Sequence, residues 1–147
     1  MKQYKILSWK ELHYDSYLLA RSLSAKSFKG IIAVTRGGLA PAAIISYELG
    51  CRFIETFSIV SYDNEKQGVL SVLKEPNIDH KGNGYLVIDD LVDSGNTAIT
   101  IKKILPEAYF ACLYAKPEGK PYVHEFIKEV EQNTWVLFPW DVKPHIP

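Results

Sequence analysis

Short runs of branched and aromatic residues recur along this chain, and nearly every one is followed by helical spacing or a glycine turn. That alternation leaves few folds open. Gly30-Ile31-Ile32-Ala33-Val34-Thr35, Phe53 to Tyr62, Tyr85-Leu86-Val87-Ile88, Phe110 to Ala115 and Thr134 to Phe138 read as strands. The runs at 30–35 and 85–88 carry no polar alternation, so both of their faces expect cover, as in a parallel sheet. Between them, Ser8 with Glu11 forms a capping pair that opens a helix through Leu23, with Leu12, Leu19 and Leu23 on one face and Ser16 among them. A second helix spans Leu39 to Leu49, with Pro41 in its first turn and Gly50 as its stop, and a third Thr97 to Leu105. Val69 to Lys74 returns as an antiparallel strand after the polar stretch Asp63-Asn64-Glu65-Lys66-Gln67-Gly68, and Lys81-Gly82-Asn83-Gly84 is a tight turn. The fold class is α/β: a mainly parallel sheet flanked by helices on both faces.

The 147 residues suit one domain, 1–147, long enough to bury about two thirds of its unfolded surface without staples. Seventeen basic and seventeen acidic residues cancel to zero net charge, which argues against a dedicated nucleic-acid partner. No apolar run approaches the roughly 20 residues that cross a bilayer, and Met1 to Ser8 has no leader pattern. A cytoplasmic protein is expected, with Cys51 and Cys112 as buried free thiols. His13, His80, His124 and His145 have no metal-ligand spacing and read as surface or structural residues.

Ligands of parallel α/β sheets gather beyond the carboxyl ends of the strands. One such end reads Tyr85-Leu86-Val87-Ile88-Asp89-Asp90-Leu91-Val92-Asp93-Ser94-Gly95-Asn96-Thr97. The start of the following helix offers free amides and a partial positive charge to a phosphate. Gly95 permits close backbone approach, and the Ser94 and Thr97 hydroxyls donate to phosphate oxygens. Asp89 and Asp90 would repel a phosphate; they suit ribose hydroxyls, directly or through Mg2+. A plain turn with a capping aspartate is the alternative, and it leaves the ordered set of three acids unexplained. After the first buried strand, Arg36-Gly37-Gly38 offers amides and a guanidinium to a pyrophosphate, or serves as a simple strand-to-helix turn.

The thirteen-residue segment resembles the phosphoribosyl-pyrophosphate signature of type I phosphoribosyltransferases: an apolar strand, two acids, two apolar residues, then Asp-Ser-Gly-x-Thr. Residues 31–39, Tyr114-Ala115-Lys116-Pro117, and Thr134-Trp135-Val136 with Pro139-Trp140-Asp141 extend the likeness over nearly the whole chain, most nearly to the purine-specific bacterial xanthine-guanine group. The resemblance implies the type I fold with a small hood and a flexible loop, here Ser61 to Lys74, closing over the reaction. It implies transfer of phosphoribose to guanine, xanthine or hypoxanthine, with Mg2+ held at Asp89 and Asp90. It places the phosphoribosyl and pyrophosphate groups on Arg36, Gly37, Asp89, Asp90, Asp93, Ser94, Gly95, Asn96 and Thr97. Asp93 becomes the acid-base residue facing purine N7, Lys116 the donor to the 6-oxo group, and Trp135 the stacking platform. The carbonyls of Trp135 and Val136, with Asp141, read the 2-position.

Read by position alone, Asp93 is a helix cap, Lys116 a solvated strand-end residue and Trp135 a core or interface side chain. The family likeness further implies a homo-oligomer, usually a tetramer, a non-proline cis peptide in the Arg36-Gly37 loop, and a cytoplasmic setting with peripheral association at the inner membrane face. Two departures stand out: Asn96 where a second glycine is common, an asparagine tolerating positive φ, and Gln67-Gly68 where a basic residue is usual, with Lys66 its nearest substitute. Two rivals share the fold: a phosphoribosyl-pyrophosphate-sensing regulatory protein, and a phosphoribosyltransferase for another base.

Overall fold

The computed structural model describes residues 2–62 and 69–143. The expected loop segment 63–68, including Lys66 and Gln67-Gly68, and His145 lie outside the described residues.

Helix α1, Trp9–Leu23, starts where the Ser8 hydroxyl accepts the Glu11 N–H at 3.1 Å. Its Leu12, Leu19 and Leu23 are wholly buried, as their spacing requires, each such side chain contributing about 1.5–3 kcal/mol. Ser16 shares that face because its hydroxyl donates back to the Leu12 carbonyl at 2.7 Å. Helix α2, Leu39–Leu49, ends on Gly50 in the left-handed conformation, φ 65°, and α3 covers Asn96–Ile104.

In chain order the strands are β1 Gln3–Ile6, β2 Gly30–Thr35, β3 Ile54–Tyr62, β4 Val69–Lys74, β5 Tyr85–Val92, β6 Tyr109–Ala115, β7 Glu125–Glu129 and β8 Thr134–Leu137. Six of them form one sheet in the order β4-β3-β2-β5-β6-β7. All its pairings are parallel except β3 with β4, the antiparallel return anticipated above. The α1 and α2 side chains Leu12, Leu19 and Ile45 pack with Leu86, Ile88 and Leu113 on one face. Ala98 and Ile101 of α3 pack with Ile32, Val34, Val87 and Cys112 on the other.

Three features differ from expectation. Strand β5 does not stop at Ile88 but continues to Val92, because β6 pairs alongside it as far as Ala115. Strands β1 and β7 escaped notice. The first is polar and largely exposed, the second is a short edge strand with no fully buried residue, and neither shows a buried run. Strand β8 leaves the main sheet altogether and pairs with β1, Tyr4 opposite Trp135, forming the small hood. The turn at 81–84 is present, with Gly82 and Gly84 at φ 85° and 84°.

The central pair, β2 and β5, sets the site. From β2 the chain passes through α2 to β3 on one side; from β5 it passes through α3 to β6 on the other. The loops therefore diverge onto opposite faces, and their pairing ends at Ala33 with Ile88, opening a crevice. A strand-order reversal of this kind is where parallel α/β sheets hold ligands.

Candidate active site

Both loops at the crevice are shaped by glycine. A Cβ on Gly38 would lie 2.4 Å from the Ile88 carbonyl oxygen, and one on Gly37 would lie 2.2 Å from Asp90 Oδ2. The β2 loop is thus pressed against the end of β5, with the Arg36 side chain exposed above it. The expected cis bond is the Thr35–Arg36 peptide.

Along the extension of β5, Asp89 Oδ1 accepts the Asp90 N–H at 2.8 Å and Asp90 Oδ1 accepts the Leu91 N–H at 2.7 Å. Each carboxylate is tied down through one oxygen by a backbone N–H. Desolvation, then the neighbouring Asp90 charge, pushes the Asp89 carboxyl well above the ordinary range. Desolvation is also the main reason Asp90 is raised, with Asp141 adding a smaller push. Cys112 lies opposite Asp89 in the sheet, and burial followed by that negative charge drives its thiol upward, so it is an inert packing group. Cys51, expected to be buried, is only half-buried.

The phosphate loop follows. Gly95 caps α3 with φ 93°, and a Cβ there would sit 2.2 Å from a ring carbon of Tyr122. Asn96 is already the first helical residue and exposed. The demand for positive φ therefore falls on Gly95, and the tolerance invoked for Asn96 is not needed. The Ser94 hydroxyl approaches the Asn96 N–H at 3.4 Å. The first-turn amides of a helix have no partner four residues back, so they remain donors toward an anion.

Next to that loop stands Lys116, whose backbone N–H donates to the Val92 carbonyl at 2.9 Å. It is not a solvated strand-end residue. It is 5% exposed, and its Nζ donates to Asp93 Oδ2 at 2.9 Å. The Asp93 side chain is 56% exposed, so one oxygen meets the buried ammonium while the group still faces solvent. Its Oδ1 accepts from Gln132 Nε2 at 2.9 Å, a partner that sequence reasoning did not single out. No side chain caps α3, and Asp93 is engaged with Lys116 and Gln132 instead.

Trp135 is 55% exposed on β8, with Lys2 Nζ 5.4 Å from its ring centroid, while Val136 points into the core. A tryptophan so exposed is not a core side chain. Asp141 Oδ2 accepts the Phe138 N–H at 2.9 Å, and Asp141 shares a cleft with Arg36, Gly37, Asp90 and Trp140. One cleft thus unites the Arg36-Gly37 loop, Asp90 and Asp141, and a second is lined by Asp89, Asp93 and the Ser94–Thr97 loop. Lys116 joins through Asp93, and Trp135 lies on the adjoining hood. Tyr122 and Gln132 are the contributors sequence reasoning missed, and neither lies in a motif. Two of the histidines stay out of the site: His124 Nδ1 accepts the Phe110 N–H at 2.9 Å, and His80 pairs with Asp79 at 3.1 Å.

A doubly wound α/β sheet with paired acids and two glycine loops at its switch point defines an enzyme that handles a phosphorylated sugar. The phosphoribosyl transferase domain family matches residues 8–146, and the chain belongs to that family of glycosyl-transferring enzymes. It is 52% identical over 145 residues to xanthine-guanine phosphoribosyltransferase of Gluconobacter oxydans, covering 96% of this chain and 86% of that one. It is 53% identical over 139 residues to the enzyme of the same name from Desulfotalea psychrophila, covering 93% and 86%. Among solved structures it resembles a purine phosphoribosyltransferase from Pyrococcus horikoshii, with TM-score 0.83, 25% identity and 98% of each chain covered. It also resembles the xanthine-guanine-hypoxanthine phosphoribosyltransferase of Helicobacter pylori, with TM-score 0.79, 25% identity and 95% of each chain covered.

Proposed function

We propose that this chain is a purine-salvage enzyme that transfers the 5-phosphoribosyl group of phosphoribosyl pyrophosphate to guanine or xanthine, and to hypoxanthine as a further acceptor. One observation carries the reading: a buried ammonium and a solvent-facing carboxylate, Lys116 and Asp93, stand 2.9 Å apart beside the phosphate loop. A 6-oxopurine presents an acceptor at O6 and a proton-bearing nitrogen at N7 on one edge, the complement of that pair. Adenine, with an amino donor in place of O6, would meet the ammonium donor to donor.

Arg36 and the loop amides around Gly37 hold the pyrophosphate; Ser94, Gly95, Asn96 and Thr97 hold the 5-phosphate; Asp89 and Asp90 take the ribose hydroxyls. The bond from C1 to the pyrophosphate oxygen breaks with its electron pair leaving on pyrophosphate, and the bond from C1 to purine nitrogen forms. Asp93 takes up the proton the base sheds at N7. Lys116 steadies the charge on O6, Trp135 stacks on the base, and the Trp135 and Val136 carbonyls with Asp141 read the 2-position.

The acids fit Mg2+. The two carboxyls are adjacent and both are raised by desolvation, which a bound cation would relieve. Among the described residues no group of three or more His, Cys, Asp or Glu is placed to hold a metal ion, so Asp89 and Asp90 are the residues that would hold it. When bound, Mg2+ supplies positive charge to the departing pyrophosphate.

A single domain over 1–147, a homotetramer and a cytoplasmic setting, with peripheral attachment at the inner membrane face as its finer form, belong to the same proposal. Among the described residues no helix is long and apolar enough to cross a membrane. The test is to incubate the protein with phosphoribosyl pyrophosphate, Mg2+ and each base in turn, and to measure pyrophosphate release. Release with guanine and xanthine is expected. Release with uracil but not guanine overturns the purine reading, and no release with any base favours a sensor.

A further inference from the structure

Asp93 is gripped from two sides, and only one grip survives the arrival of a base. Lys116 Nζ holds Oδ2 at 2.9 Å and Gln132 Nε2 holds Oδ1 at 2.9 Å. The Gln132 amide cannot turn over, because its Oε1 accepts the Glu118 N–H at 3.0 Å and a donor there demands an oxygen. Gln132 itself sits in a turn closed by the Thr134 N–H on the Glu131 carbonyl at 3.0 Å, just before β8. The lysine loop is seated against Asp93 too, since a Cβ on Gly119 would lie 2.7 Å from the Asp93 carbonyl oxygen.

A base that draws Lys116 onto its 6-oxo group takes one hydrogen bond away from Asp93. Left with no second anchor, a carboxylate more than half exposed would sample several rotamers, and a proton acceptor must be held within hydrogen-bond reach of its proton. We propose that Gln132 is a positioning residue for this transfer: it keeps Asp93 aimed at the base through Oδ1 while Oδ2 is handed from Lys116 to the N7 proton. The inference rests on the reading of Asp93 given under the proposed function. It adds a coupling between the two base-binding segments, because the turn that aims Asp93 also leads into the strand that carries Trp135.

The test uses three variants of the full chain. Gln132→Met keeps the length and loses both hydrogen bonds. Gln132→Glu keeps the acceptor for the Glu118 N–H but turns an acceptor on Asp93. Asp93→Asn serves as background for a cycle. Both Gln132 variants should lower kcat by about 10- to 100-fold, the worth of a hydrogen bond to a charged group, with the KM for phosphoribosyl pyrophosphate within about twofold of the parent. Gln132→Met should cost nothing further in the Asp93→Asn background, which shows that it acts through Asp93. A Gln132→Glu enzyme as active as the parent, or equal losses with and without Asp93, overturns the proposal and leaves Gln132 a support for the loop at Glu118. If the unaltered chain releases no pyrophosphate with any base, it is the proposed function that fails instead.

Discussion

Removing one or the other member of the Lys116–Asp93 pair should have unequal consequences for stability, because the two charges sit in different surroundings. Lys116 is 5% exposed and its Nζ finds its counter-charge in Asp93 at 2.9 Å, whereas the Asp93 side chain is 56% exposed. At an effective dielectric near 20 the gross attraction at that distance is about 6 kcal/mol. Truncating one member of a fully buried pair costs about 3–5 kcal/mol. Solvent around Asp93 screens part of that here, so Asp93→Ala should cost about 1.5–3 kcal/mol, the range for hydrogen bonds to charged groups. Lys116→Met frees a carboxylate that water can reclaim and removes a buried ammonium, so it should change stability by less than about 1 kcal/mol in either direction. The double variant should recover most of the Asp93→Ala loss, because the uncompensated charge is then gone. Thermal and urea melts without substrates, at one protein concentration, measure this; for a chain of this length the Asp93→Ala loss corresponds to roughly 4–10 °C in Tm. An Asp93→Ala protein that melts with the parent, or a Lys116→Met protein that falls further than Asp93→Ala, would refute the asymmetry.

Asp93→Ala should also lower turnover by about 10²–10⁴ in a nucleotide-formation assay; unchanged turnover would return the residue to a loop-holding role. Lys116→Ala should weaken the use of guanine and xanthine while leaving the donor KM in place, and equal loss of both would mark it as structural. Asp89 is held above the ordinary carboxylate range by desolvation and by Asp90, so the folded chain binds more protons than the unfolded one from about pH 4 upward. Stability should therefore fall as pH rises through the window between the ordinary and the raised value. Asp89→Asn should flatten that fall in Tm recorded against pH, and a slope equal to the parent's would count against the stated cause.

Much of this architecture was legible because it is written in local pattern. Ser8 and Glu11 sit at capping distance, Gly50 stands where a helix must turn left-handed, and the run from Gly30 to Thr35 has no polar residue to face solvent. The segment from Asp89 to Thr97 was legible for the same reason, since its acids, glycine and hydroxyls lie close together in the chain. What escaped notice depends on partners remote in the chain. Asp15 is 1% exposed on the apolar face of α1, and nothing near it in sequence announces that. The Tyr114 hydroxyl, 99 residues away, and Lys128 Nζ at 2.9 Å permit its burial. Strand β1 is polar and, among the described residues, ladders with β8 alone. Gln132 is one polar residue in a turn, and only the fold brings it to Asp93. Asn96 was judged by a backbone requirement that Gly95 meets in its place.

The hood has a consequence for the order in which the site is made. Gln3 pairs with Thr134 and Ile6 with Leu137, so the ladder that steadies Trp135 joins residues 131 positions apart in the chain. Arg36, Gly37 and residues 89–97 lie on strands whose neighbours are all in place once β6 has emerged. Closing so long a loop is entropically slow. On the proposed assignment, a nascent chain halted before β8 has its crevice for the sugar phosphate but lacks Trp135 as a platform for a base, so competence to hold the donor would precede competence to use it.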